Sequence, residues 1–134
     1  MERRDYLLRE IEKIGIILSA IRQKVFGGKD NLAITIEQQM VALKGMLLNE
    51  VNLDFDKLMN LDSRGTDEYL SNLNGFNVAN IELLAETISE IGLEQNSPGF
   101  LEKALQLFEI CNLRDRTFSL ERDIKINRIK DILN

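Results

Sequence analysis

The chain has 134 residues and a net charge of −5, and its 44% hydrophobic and 29% charged residues are the composition of one globular domain rather than of a disordered segment. It contains no histidine, no tryptophan, one cysteine and one proline. The missing histidine excludes Ser–His and Cys–His nucleophile pairs, and a lone cysteine without histidine argues against zinc.

Charge is unevenly spread. Residues 1–30 carry seven Lys/Arg against five Asp/Glu, residues 31–100 three against eleven, and residues 101–134 seven against six. An acidic middle between mildly basic ends offers no continuous basic surface for phosphates, so no nucleic-acid partner is expected. No apolar run reaches the roughly 18 residues that a membrane-spanning helix needs. The first residues mix charges of both signs, and Arg9, Glu10, Glu12 and Lys13 interrupt the next segment, unlike a signal peptide. With no intrachain partner for Cys111, the expectation is a cytoplasmic protein with a reduced thiol and no membrane association.

Residues 2–26 read as one long amphipathic helix. Leu7, Leu8, Ile11, Ile14, Leu18, Ile21 and Val25 fall on one face, while Ile16 and Ile17 fall off it. A helix apolar around so much of its girth must be covered on more than one side. Either the bundle covers the second face, or a second copy of the chain does, at Ile14, Ile16, Ile17 and Leu18. Gly27-Gly28 ends this helix, and Asp30 or Asn31 caps a second over 32–50, striped by Ile36, Met40, Leu43 and Leu47 and broadened by Val41, Leu48 and Val51. Gly15 and Gly45 lie at similar distances from that turn. At least one of them is expected to permit close backbone approach.

Residues 52–76 are rich in Asp, Asn, Ser and Gly but too apolar for a free linker. Two short helices are expected, over 54–61 and 66–73, with Gly65 ending the first, Thr66 capping the second and Asn74-Gly75 ending it. Residues 77–95 form a further helix, capped by Asn77, with Val78, Ile81, Leu84, Ala85, Ile88 and Ile91 inward, and Gly92 suggests a break or fraying near 92–96. Ser97-Pro98 opens the next, to about 112, with Leu101, Ala104, Leu105, Phe108 and Cys111 on one face. Ser119 caps the last, over 120–133. No stretch alternates with period two for long enough to predict a strand.

Candidate chemistry is sparse. Cys111 lies among apolar neighbours and reads as a core residue. Setting Asn60 at position one of a calcium loop puts Asp62 at three and Gly65 at six. It also puts Arg64 at five and Ser71 at twelve, where oxygen ligands and a closing carboxylate are required. Glu86 and Glu90, one helical turn apart, lack the Glu-x-x-His partner of a dinuclear site and read as a solvated face. Gly27-Gly28 lacks the Walker spacing. The basic residues Arg114, Arg116, Arg122, Lys125, Arg128 and Lys130 are interleaved with acids. Nothing brings together the phenols Tyr6 and Tyr69 or the amines Lys13 and Lys44. No catalytic, cofactor-binding or metal-ligating residue is assigned, and no cofactor is expected.

Ala104, Phe108 and Cys111 follow the small–aromatic–small spacing of the second helix of a tetratricopeptide-type hairpin, with Ala85 and Ile88 as matching first-helix residues and Gly92–Gly99 as the loop. The chain also resembles a small, uncharacterised bacterial all-helical family with tetratricopeptide-like hairpins. That resemblance rests on Asp5-Tyr6-Leu7-Leu8-Arg9-Glu10-Ile11-Glu12, Lys103-Ala104-Leu105-Gln106-Leu107-Phe108, Ser119-Leu120-Glu121-Arg122 and Lys125-Ile126. It implies fold and class and supplies no site residues. The expected architecture is all-α: stacked antiparallel helical hairpins, tetratricopeptide-like, with about five main helices plus two short ones. A single domain 1–134 divides into an N-terminal hairpin (1–51), a short-helix connector (52–76) and a tetratricopeptide-like hairpin plus C-terminal helix (77–134). The expected function is a non-enzymatic module that binds a protein or peptide, and a homodimer through the first helix is the reading if the bundle leaves its second face open. The alternative is a small-molecule-binding regulator or a histidine-independent enzyme.

Overall fold

A computed structural model describes residues 2–26 and 36–134. Within them lie seven α-helices and no strand: α1 (Glu2–Phe26), α2 (Ile36–Val51), α3 (Phe55–Asn60), α4 (Ser63–Ser71), α5 (Val78–Gln95), α6 (Pro98–Arg114) and α7 (Leu120–Leu133). The Gly27-Gly28 stop and the Asp30 or Asn31 cap lie outside the described residues.

Five helix starts are made by one device. Asp54, Asp62, Asn77, Ser97 and Ser119 each turn a side-chain oxygen onto the backbone N–H three residues on. This satisfies a donor that the helix itself cannot pair. The caps expected at Asn77, Ser97 and Ser119 are present. The expected stop at Gly65 and cap at Thr66 are not. Asp62 Oδ1 accepts the Gly65 N–H at 2.7 Å, so α4 starts earlier and both residues lie inside it. Thr66, released from capping, is buried and donates its hydroxyl to Gln106 Oε1 at 2.9 Å.

The break or fraying expected near 92–96 falls at the far end of that range. Helix α5 continues to Gln95 and ends on Asn96 in the left-handed conformation (φ 50°), with the Ser97 N–H reaching back to the Gly92 carbonyl. Only Asn96 and Ser97 separate α5 from α6. Gly92 instead serves the packing: a Cβ there would lie 2.9 Å from Leu101 Cδ2 and 3.2 Å from Leu101 N, so its bareness lets α6 approach.

Helix α5 packs against α1 and α6, α6 also against α7 and α4, and α2 against α1 and α3. Leu and Ile fill the centre: Ile14, Leu18 and Ile21 from α1, Leu43 and Leu47 from α2, Ile81, Leu84, Ile88 and Ile91 from α5, Leu107 from α6, and Ile126 and Ile129 from α7. Helices α1 and α5 run in the same direction, because Ile11 meets Asn80 and Arg22 meets Glu86 and Glu90. Helices α5 and α7 are parallel by the same test, through Glu82 with Arg122 and Glu86 with Lys125.

That register explains a departure from the apolar stripe. Helix α5 begins level with Ile11, so nothing of it reaches the first turns of α1, and Leu7 and Leu8 are exposed. Val41 and Leu48 likewise lie on the solvent side of α2. Of the two interior glycines, Gly15 makes the close approach, and it does so against α5: a Cβ would stand 2.9 Å from Asn80 Oδ1. Gly45 has nothing within 4 Å. The Asn80 amide donates to the Ile11 and Gly75 carbonyls at 2.9 and 2.6 Å, tying the start of α5 to α1. Gly75 has φ +87°, and a Cβ there would fall 2.8 Å from the Glu10 carbonyl oxygen.

These two glycines predict opposite outcomes. Gly75→Ala combines a disfavoured φ with a clash against α1 backbone and should lower unfolding stability by about 2 kcal/mol or more. Gly45→Ala should raise it by about 0.5–1 kcal/mol through helix propensity alone. Urea unfolding of the two variants checks both.

Candidate functional site

Glu86 and Glu90 are not a solvated pair. Helix α5 presents both, one turn apart, between α1 and α7. Arg22 Nη1 donates to Glu86 Oε2 at 2.9 Å, its Nη2 pairs with Glu90, and Lys125 from α7 pairs with Glu86. The bond to Glu90 holds the Arg22 guanidinium above its ordinary pKa, firmly charged. The parallel register of α1, α5 and α7 makes this possible, since it sets two cations level with one pair of acids.

Beneath these charges lies a half-open cleft of about 230 Å³. Its floor is apolar and deep, with Phe108 1% and Ile129 3% exposed, while Leu93 and Ile132 stand at the mouth, 39% and 49% exposed. Ser89 and Arg128 complete the lining. Two carboxylates and two cations cancel. Arg128, exposed, makes no hydrogen bond or ion pair among the described residues and leaves the lining one positive charge in excess.

A second concave surface runs along the outer side of α1. It is broad and shallow, formed where Gly15, Ser19 and Ala20 of α1 face Ala79 and Leu83 of α5, with Ile16 standing on it. Ile16 also borders a smaller depression with Arg9, Lys13 and Ile17.

The other candidates are dispersed. Tyr69 accepts the Asp54 N–H at 2.9 Å and lies under the Lys57 ammonium, 5.1 Å from the ring centre. Lys44 pairs with Asp56 at 2.9 Å, and Tyr6 and Lys13 are exposed on α1. In the acidic segment, Asp62 is a cap and Asp67 is held by Arg114 Nε at 2.9 Å. No group of three or more acidic or cysteine side chains that could hold a metal ion occurs among the described residues. Three of the six C-terminal basic residues join helices: Arg114 reaches Asp67 and Ser71, buried Arg122 reaches Glu82, Asn112 and Asp115, and Lys125 reaches Glu86. Cys111 is buried, with its sulfur 3.6 Å from the Val78 carbonyl oxygen, and desolvation pushes its pKa up to about 12.

Sequence reasoning passed over Lys103. Its ammonium is buried and donates to Leu61 O, Thr66 Oγ1 and Gln106 Oε1 at 2.8, 2.9 and 2.6 Å, all uncharged acceptors. Burial lowers its pKa, and the more distant charge of Asp62 offsets this in part. The signal lay in the spacing, because Lys103, Leu107 and Ile110 share one helical face.

No protein-family model matches the chain, and neither a curated protein nor a solved structure is significantly similar to it. No helix among the described residues is long and apolar enough to cross a membrane.

Two measurements follow from the buried groups. Thiolate is the reactive form, so native Cys111 should react with a thiol reagent at pH 8 roughly a thousand-fold more slowly than the urea-unfolded chain. Lys103→Met strips the donor from three acceptors and should cost about 1–3 kcal/mol. Because the native pKa of Lys103 lies below the unfolded 10.5, the unfolded chain holds more protons between those values. The Lys103 contribution to stability therefore rises with pH through that window. The variant should lose this slope in urea titrations carried from pH 8 to 10.5.

Proposed function

We propose that the protein is a non-enzymatic, cytoplasmic helical-repeat interaction module that associates with a second copy of itself through α1. The carrying observation is Ile16. Within one chain it remains 64% exposed, and Ile17 is only half-buried, so the bundle leaves part of the second apolar face of α1 uncovered. The small residues Gly15, Ser19 and Ala20 beside it leave room for another helix to approach. A two-fold axis through this face would seat each Ile16 on the partner's groove.

The repeat reading, and with it kinship to the bacterial family that the sequence resembles, draws support from the helix directions. Helices α1, α5 and α7 run parallel, and α6, packed on both α5 and α7, turns back from α5. A two-residue turn joins α5 to α6, and the small residues Ala85 and Ala104 are fully buried. A partner protein or peptide fits this class better than nucleic acid, since half of the C-terminal basic residues are engaged within the fold. The buried, unpaired Cys111 suits a reducing compartment. A second reading, a small-molecule-binding regulator, is favoured by the cleft between α1, α5 and α7.

Sedimentation velocity over a concentration series tests self-association. The wild-type chain should move from monomer to dimer, and Ile16→Glu should remain monomeric with stability changed by no more than about 0.5 kcal/mol, as for an exposed site. Identical monomeric behaviour of both chains would refute the proposal.

A further inference from the structure

We infer that the cleft between α1, α5 and α7 binds a small amphiphilic anion, with its apolar body on Phe108 and Ile129 and its anionic head on Arg128. The inference rests on the small-molecule reading and is independent of self-association through α1. Three observations converge on it.

The first is the gradient of burial. The floor is apolar and nearly inaccessible, while the mouth is flanked by half-exposed Leu93 and Ile132. A ligand with one apolar end and one polar end matches that gradient; a uniformly polar one does not. The second is charge. Glu86 is engaged by Arg22 and Lys125, and Glu90 by Arg22, so these four groups present no net charge to a ligand. Arg128 lines the same space without a partner among the described residues, and a planar guanidinium suits a carboxylate or phosphate. The Ser89 hydroxyl adds a neutral donor on the α5 side. The third is size. At about 230 Å³ the cleft lies below the usual range of about 300–1,000 Å³ for drug-sized ligands, which restricts the occupant to a short chain or a single ring.

The test uses octanoate, octanol and octylamine as probes of one shape and three charges. Binding is followed on the full chain by the methyl NMR signals of Ile129 and Ile132, with Ile16 on the far groove as the control. Octanoate should shift Ile129 and Ile132 but not Ile16, and should bind roughly ten-fold more tightly than octanol, with octylamine weakest. Arg128→Glu removes an exposed residue with no partner among the described residues, so the fold should be retained. It should weaken octanoate roughly ten-fold or more, leave octanol unchanged and strengthen octylamine. A merely structural role for Arg128 would not invert the charge preference. If octanol or octylamine shifts the cleft methyls as well as octanoate does, or if Arg128→Glu leaves the order unchanged, the anionic class is wrong while the small-molecule reading stands. If no probe shifts Ile129 or Ile132, both fail.

Discussion

Helix α5 is enclosed on three sides, and the positions of the other main helices follow from that enclosure. Its buried apolar residues, Ile81, Leu84, Ala85, Ile88, Ile91 and Gly92, form one stripe, and buried Asn80 and Thr87 widen it on one side. Helices α1 and α6 pack directly on it, and α7 reaches it through Arg122 and Lys125. Two polar residues are buried along its length, and both are satisfied. Asn80 binds the backbone of α1 and of the α4–α5 link, and the Thr87 hydroxyl donates to the Leu83 carbonyl within its own helix.

Leucine and isoleucine contacts attract without direction, so a core made of them would tolerate several helix registers. The long-range hydrogen bonds are what distinguish one register from another. Arg22 sets α1 against α5, Arg114 sets α6 against α4, Arg122 sets α7 against α5, and Lys103 ties α6 to the end of α3. Buried Arg122 and Lys103 would each leave a desolvated charge or acceptor behind if its helix slid by one turn, while the more exposed Arg22 and Arg114 pairs add less. The four cations thereby select a register that burial alone would not.

This division explains what was legible in the sequence. Periodicity and caps are local, and they located α1, α5, α6 and α7 nearly to the residue, including the caps Asn77, Ser97 and Ser119. Errors arose where two local signals competed. Asp62 and Thr66 could each cap α4, and the order was decided by Lys103 and Gln106, which lie some forty residues away and hold the Thr66 hydroxyl. Gly92 reads locally as a sign of fraying over 92–96, and only the packing shows that Leu101 occupies the space its side chain would fill. The cleft was not legible at all. Glu86 and Glu90 look solvated on the α5 wheel, and only the three-helix register brings Arg22 and Lys125 to them.

The same register limits the chemistry that the molecule can offer. The groups that most often become reactive in a protein are a buried lysine, a cysteine and paired carboxylates. Here the buried lysine is occupied by three acceptors, the cysteine is held protonated by desolvation, and the carboxylates are neutralised by paired cations. The lysine, the two glutamates and their cations are thereby engaged in holding helices together. Among the groups left open are an isoleucine on the outer face of α1 and a guanidinium lining an apolar cleft. An exposed isoleucine gains by being covered, and an exposed guanidinium by being paired with an anion.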